Sequence, residues 1–364
     1  MDKLTEIVSA FDIKGNVTTI KPLGNGLIND TYKVTTQGDS PDYVLQRINN
    51  AIFTDVKLLQ DNIVAVTRHI RAKLEAAGES DIDRKVLTFI TLKNSTQTWF
   101  LDGEGKYWRI SVFIPDAFTY ETVNPEYSRF AGEAFGNFEA MLADIPDTLG
   151  ETIPDFHNME LRARQLEEAV AADKAGRLAS DGGELHEILA DMNRYMQEMC
   201  KAERLHREGR LPKRICHCDT KVNNMMFDSD GRVLCVIDLD TVMPSYVFSD
   251  FGDFLRTAAN TVAEDSPDTA SVAFRMDIFK AFSQGYIAGT KSFLTPLEKE
   301  NLPYAACLFP FMQAVRFFAD YIGGDTYYKT AYPEHNLVRT RNQMALFHSA
   351  WSLRDEMASY IASL

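Results

Sequence analysis

A chain of 364 residues, 45% of them hydrophobic, is long enough to bury cores in two lobes. Its net charge of −14 at pH 7 argues against nucleic acid and anionic membrane surfaces as partners, since both need a cationic face. The N-terminus lacks a basic segment followed by an apolar one, no run approaches the ~18 apolar residues of a membrane span, and five cysteines form no disulfide framework, so a soluble, cytoplasmic monomer is expected.

The first stretch reads as strands around one helix. "VTTIKPLG" (17–24), "NDTYKVTT" (29–36) and "DYVLQRIN" (42–49) are rich in β-branched or aromatic residues and bounded by Gly, Asn, Asp and Pro. Leu58, Leu59, Ile63, Val66, Ile70 and Leu74 recur at helical spacing between Asp55 and Ala77, and Gly78 is a natural stop. "VLTFITL", "TWFLD" and "YWRISVFI" predict further strands, the last two joined by "GEGK". "FIPDAFTYETVNPE" (113–126) has two prolines and no period, which marks a linker. The expected division is a nucleotide-binding lobe over 1–114 and a helical lobe over 115–364.

Beyond the linker, Phe130, Ala134, Phe138 and Met141 share one helical face, and long helical patterns fill 160–175, 184–208, 268–288, 296–322 and 336–362. One β-like island interrupts them, "RICHCDTKVNNMMFDSDGRVLCVIDLDTVMP" (214–244). The pieces "MMFD" and "VLCVID" flank "SDG", a tight-turn signal, so a hairpin is expected. That hairpin would bring Asp219 and Asn224, on the loop before its first strand, to face Asp238 at the end of its second.

Phosphoryl transfer needs such a set: a carboxylate to take the acceptor proton, oxygen ligands for Mg²⁺ and cations to offset charge on the moving group. His217-Cys218-Asp219 followed by Asn224 reproduces the H-x-D-x-x-x-x-N spacing of kinase catalytic loops. Asp219 is the candidate base, Asn224 and Asp238 are the candidate Mg²⁺ ligands, and Lys221 is a candidate γ-phosphate contact. Asp240 is open as a second metal ligand or a substrate contact. The literal D-F-G at 250–252 is assigned no metal; Asp250 or Asp253 is expected to cap a helix opening there. Cys216 and Cys218 are separated by one residue, where zinc pairs usually leave two to four, which argues against zinc.

Gly24, Asn25 and Gly26 join two strand candidates and offer backbone N–H groups to ATP phosphates. No lysine stands on "YVLQRIN"; strand alternation lets one of Gln46 and Arg47 face the nucleotide, and Arg47 is the candidate cation. Arg316 lies in the apolar "LFPFMQAVRFFADYI" and needs a partner, Asp320 being one and a substrate another. Arg339 and Arg341 are expected to form ion pairs.

With these residues in place, the chain resembles the aminoglycoside/choline kinase-like phosphotransferases, and within them the N-acetylhexosamine 1-kinases. "GNGLINDTY", "YVLQRIN", "HCDTKVNN", "IDLDTVMP", "DFGDFLR", "RFFADYIGGDTYY" and "YPEHNLVRTR" carry the likeness over nearly the whole chain. The resemblance implies an α+β, bilobal, protein-kinase-like fold with ATP in its cleft. It implies Mg²⁺-dependent transfer of the γ-phosphate to the anomeric hydroxyl of N-acetylglucosamine or N-acetylgalactosamine. It places the catalytic Asp on Asp219, the magnesium ligands on Asn224 and Asp238, and sugar contacts on Arg316 and Tyr327. Leu27 stands where a histidine is associated with the family's glycine loop. The alternative acceptor is an aminoglycoside, choline or another small alcohol.

Overall fold

The structure, a computed structural model, describes residues 3–24 and 29–364. In chain order its elements begin with α1 (Lys3–Ser9), β1 (Val17–Pro22), β2 (Asp30–Thr36), β3 (Tyr43–Ile48), α2 (Val56–Ala76), α3 (Ile82–Lys85), β4 (Trp99–Leu101) and β5 (Tyr107–Val112). They continue through α4 (Pro125–Leu142), α5 (Met159–Ala172), α6 (Glu184–Met199), α7 (Lys201–Arg207), β6 (Arg214–Cys216), β7 (Met225–Phe227), β8 (Val233–Val236), β9 (Met243–Ser245) and α8 (Phe248–Ala258). Then come α9 (Met276–Thr290), α10 (Pro296–Glu300), α11 (Leu302–Gly323), α12 (His335–Ser352) and α13 (Arg354–Ser363). The class is α+β, a small antiparallel sheet followed by a larger helical part.

Two compact units divide the chain: Met1–Tyr120 with Met141–Pro154 and Asn223–Met243, and Glu121–Ala140 with Asp155–Val222 and Pro244–Leu364. The island 214–244 is therefore shared between them.

In the first unit, five strands run in the order β1-β2-β3-β5-β4, each antiparallel to its neighbour. Alternation gives one face to Val34, Tyr43, Leu45, Trp108 and Ile110, which close over Ile7, Val8 and Phe11. α1 thus owes its place to an apolar pair that the sequence reading passed over. The predicted helix at 55–77 forms as α2: the Asp55 side chain accepts the N–H of Leu58 at 2.9 Å, and Leu59, Ile63, Val66 and Ile70 are buried. "VLTFITL" does not become a strand; it makes isolated bridges, Phe89 to Ser111 and Leu92 to Phe11. The predicted hairpin forms as β7 and β8, its turn tied by the Asp228 carboxylate, which accepts the N–H groups of Asp230 and Arg232.

The second unit is helical. Several predicted long helices are broken, at Cys200 between α6 and α7, at Asn301 between α10 and α11, and at Leu353 between α12 and α13. α11 corrects one expectation, for by length and composition it is apolar enough to cross a membrane. Burial within the unit accounts for that composition, since 78% of its most apolar stretch is inside. α4 and α9 cross on glycines: a Cβ on Gly285 would lie 2.1 Å from the carbonyl oxygen of Arg129, and one on Gly132 would lie 2.2 Å from that of Phe282.

Candidate active site

In the first unit, the hairpin sets the metal-ligand candidates side by side. The Ile237 N–H donates to the Asn224 carbonyl at 2.9 Å, which brings the last residues of the second strand level with Asn224. Asp238 follows at once, exposed and left-handed, with φ 61° and ψ 58°. An amide and a carboxylate offer hard oxygen donors, and this set fits Mg²⁺ rather than a soft transition metal. Gly24 has φ +69°, a conformation that a side chain disfavours. Asn25, Gly26 and Leu27 lie outside the described residues.

The sheet face opposite the apolar core carries a second cluster. Gln46 and Arg109 are register partners across β3 and β5. The Arg109 Nε–H donates to Gln46 Oε1 at 2.9 Å, and its Nη1 pairs with Asp240 Oδ1. Arg109 is 2% exposed and Asp240 3%. Asn29 Nδ2 donates to the other oxygen of Asp240 at 2.7 Å. Arg47 is therefore corrected as the cation of this face: it lies on the other side of the strand, ion-paired with Asp30 and partly exposed. Asp240, left open above as metal ligand or substrate contact, is committed to Arg109 and Asn29. Arg109 went unnoticed in "YWRISV" because its partner lies 131 positions away.

In the second unit, Asp219 sits half-buried at the wall of a cavity of about 100 Å³, with Phe156, His157, Asp253, Arg256, Gln313 and Arg316 among its other lining residues. Lys221 pairs with Asp219 at 2.6 Å. Burial works against the Lys221 ammonium, but Asp219 and Asp253 outweigh it and hold its pKa above the ordinary value. Asp253 has its own pKa pushed up to about 6, by burial and then by the Asp219 charge, against the pull of Arg256.

The literal D-F-G lies inside α8, and neither aspartate caps that helix. Asp250 instead accepts the N–H groups of His217 at 2.8 Å and Cys218 at 2.7 Å, while Asp253 accepts that of Thr220 at 3.1 Å. Cys218 is left-handed, with φ 63°, so the loop carrying Asp219 is pinned through a strained residue. Behind it, the Tyr286 hydroxyl lies 2.9 Å from both oxygens of Glu139. Burial, then the Asp250 charge, raises the Glu139 carboxyl well above its ordinary range, which favours its neutral form. Glu139, Cys216 and Asp250 bring ligand-type atoms within 4.8 Å of one another, but the thiol is held protonated by burial and donates to the Tyr246 carbonyl at 3.3 Å.

Arg316 is half-buried and donates to Gln313 Oε1 at 3.1 Å. Its guanidinium lies 5.5 Å from the ring centroid of Phe156, 5.9 Å from that of Tyr327 and 5.6 Å from that of Tyr328. Asp320 is not its ion partner; that carboxylate accepts the main-chain N–H groups of Thr326, Tyr327 and Tyr328. Tyr327 itself is 67% exposed. Nearby, Arg162 is lowered to about 10 by burial and by Arg316, and still carries its charge. His157 Nδ1 is buried without a hydrogen-bond partner among the described residues, and burial with Arg316 holds its imidazole neutral. Of the late arginines, Arg341 makes a bidentate pair with Glu184, whereas Arg339 donates to the Lys329 carbonyl and lies over Phe317.

A small antiparallel sheet, a helical part and a loop of H-x-D-x-x-x-x-N spacing held from α8 together define a kinase-like phosphotransferase fold. The chain belongs to the phosphotransferase enzyme family (APH), whose pattern matches residues 19–289. Among solved structures it is similar to an aminoglycoside phosphotransferase from Alicyclobacillus acidocaldarius, at 13% identity and TM-score 0.58, over 99% of this chain and 96% of that one. A spectinomycin phosphotransferase in complex with ADP and spectinomycin matches at 13% identity and TM-score 0.54, over 100% and 98%. A choline kinase from Cryptosporidium parvum matches at 13% identity and TM-score 0.54, over 95% and 92%. Identities this low establish the shared fold alone.

Proposed function

We propose that this phosphotransferase moves the γ-phosphoryl group of ATP to the anomeric hydroxyl of an N-acetylhexosamine, N-acetylglucosamine or N-acetylgalactosamine, giving the sugar 1-phosphate. The observation that carries the reading is the guanidinium of Arg316 on the wall of the cavity holding Asp219. Arg316, on its wall, makes no ion pair among the described residues and lies beside the rings of Phe156, Tyr327 and Tyr328. Beside that guanidinium a quaternary ammonium or a polyamine would meet like charge, whereas a neutral sugar with an amide carbonyl finds a donor, with Asp219 and Asp253 on the same wall to accept from its hydroxyls. This favours N-acetylhexosamine over choline or an aminoglycoside.

In this reading Asp219 orients the acceptor hydroxyl and takes its proton as the oxygen attacks phosphorus in line. Lys221, charged and tethered to Asp219, offsets the negative charge on the transferred group. Asn224 and Asp238 would hold Mg²⁺, which when bound neutralises the nucleotide phosphates. Gly24, Asn25 and Gly26 would cradle those phosphates through main-chain N–H groups. Arg316 and Tyr327 would contact the sugar, Arg316 by hydrogen bonds and Tyr327 by its ring.

The test is ATP consumption by purified protein across N-acetylhexosamines, plain hexoses, kanamycin and choline, with the phosphate position fixed by NMR. Turnover confined to N-acetylhexosamines with phosphate on C1 is expected. Faster turnover of choline or kanamycin would replace this reading with the alternative acceptor.

A further inference from the structure

Protein kinases place a lysine on the third strand and pair it with a carboxylate on a helix, which fixes the nucleotide phosphates. Here β3 reads YVLQRI, without lysine, and its residue on the Asp240 side is Gln46. The cation of that face comes from the neighbouring strand as Arg109, and its carboxylate comes from Asp240, two residues after Asp238. Both charges are almost wholly buried, and removing either would strand the other, so the pair persists only because its geometry is satisfied throughout.

That geometry is directed at one turn. Arg109 holds Asp240 Oδ1, and Asn29 Nδ2 holds Asp240 Oδ2 at 2.7 Å. Asn29 is itself fixed, its Oδ1 accepting the Asn49 N–H at 2.9 Å. Thr152 Oγ1 donates to the Asp240 carbonyl at 2.9 Å, and Asn62 Nδ2 donates to the Val242 carbonyl at 3.1 Å. Leu239–Thr241 is a 3-10 turn, and Asp238 enters it in the left-handed region. Aspartate enters that region more readily than most residues, and the bonds to Asp240 and Val242 hold the turn that follows it.

We propose that Arg109 and Asn29 are positioning residues: by fixing both oxygens of Asp240 they lock the 238–241 turn, so that Asp238 presents its carboxylate to the divalent cation of the bound nucleotide. The proposal rests on the reading of Asp238 as a metal ligand. It assigns Asp240 the part of an anchor.

The experiment measures ADP binding by calorimetry, with and without Mg²⁺, for the wild type, Asn29→Ala, Arg109→Lys and Asp238→Asn. Melting temperatures of the unliganded proteins are taken alongside. Loss of such outer support typically lowers metal affinity by about tenfold or more. The expected result is that loss for Mg·ADP in Asn29→Ala and Arg109→Lys, with metal-free ADP affinity within about twofold of wild type. Asn29→Ala removes hydrogen bonds but no charge, so it remains informative if Arg109→Lys fails to fold. An equal fall in metal-free ADP affinity, or a lower melting temperature with Mg·ADP affinity intact, overturns the inference. If Asp238→Asn leaves the Mg²⁺ dependence unchanged, the metal-ligand reading itself falls. If Asp238→Asn abolishes that dependence while the other two do not alter it, only the positioning role falls.

Discussion

Asp320 accepts the main-chain N–H of Tyr327 at 2.8 Å, and through the N–H groups of Thr326 and Tyr328 it folds the segment after α11 around one carboxylate. Asn336 Nδ2 adds a further donor at 2.9 Å. The carboxylate that the sequence offers as a partner for Arg316 instead delivers two tyrosine rings to it. Asp320→Ala is expected to free the segment, raising the acceptor KM about tenfold while leaving the ATP KM within about twofold. Steady-state kinetics with each substrate varied separately check this; a matched rise in both KM values would contradict it.

Asp219→Asn keeps the shape of the side chain and removes its basicity. A fall in kcat of about 10²- to 10⁴-fold is expected, with a melting temperature close to wild type, because the residue is half-buried and on a loop. On the proposed roles, Lys221→Met should lower kcat less, since it would remove an electrostatic contribution and leave the base. Calorimetric melting beside kinetics separates loss of chemistry from loss of fold, and near-normal turnover of Asp219→Asn would remove it as the base.

The support behind that loop divides into Asp250, which accepts two main-chain N–H groups, and Glu139, whose neutral form burial favours. Asn at 250 keeps one acceptor for the two N–H groups of His217 and Cys218, so Asp250→Asn is expected to lower kcat about tenfold or more and to cost roughly 1–3 kcal/mol. Burial and the Asp250 charge favour the neutral carboxyl of Glu139, whose shape an amide copies, so Glu139→Gln should fall within about 1 kcal/mol of wild type at pH 7. Equal destabilisation by the two amide substitutions, measured by urea denaturation, would refute the difference between them.

Glu203 gives the clearest pH signature. It accepts the Met159 N–H at 2.6 Å, and burial pushes its pKa up to about 7. The folded state thus binds the proton more tightly than the unfolded chain. Stability from this group is complete below the unfolded pKa and falls as pH rises from about 4.5 to about 7, by up to ~3 kcal/mol. Glu203→Gln should therefore be more stable than wild type at pH 8 and not at pH 4. Melting temperatures across that range test it, and a difference independent of pH would exclude burial of the charge as the cause.

Gly285→Ala should be among the most damaging single-methyl changes, because the new Cβ would meet main-chain atoms of α4 that have nowhere to go. A cost of about 1–3 kcal/mol is expected, against a few tenths for Gly182→Ala, where the space is open. Chemical denaturation of the two variants compares them directly.

How much was legible beforehand follows from the range of the forces involved. β2, β3 and α2 are written locally, in alternation, in a 3.6-residue repeat and in the Asp55 cap. The hairpin around Asp228 was readable for the same reason. α8 was not: "SDFGDF" contains a glycine and two aspartates, all weak helix formers, and its helix begins at Phe248 because tertiary packing overrides propensity. Gly252 is required there because Ala305 and Phe309 press where a Cβ would be. Likewise Asp250 looked like a cap, since its partners lie 32 and 33 positions upstream. Arg109 and Asp240 each looked incidental, as neither sequence window contains the other. Asp219, Asn224 and Asp238 stood out because their spacing is itself the signal.

Cys218 and Asp238 share one property with a mechanical implication. Each passes through backbone angles that L-residues avoid at a cost of about 1–2 kcal/mol, aspartate somewhat less. A segment bent against its own preference recoils when its clasp is cut. Severing Asp250 from Cys218, or Asp240 from Arg109, would therefore drive the adjoining acidic residue out of place rather than merely slacken it.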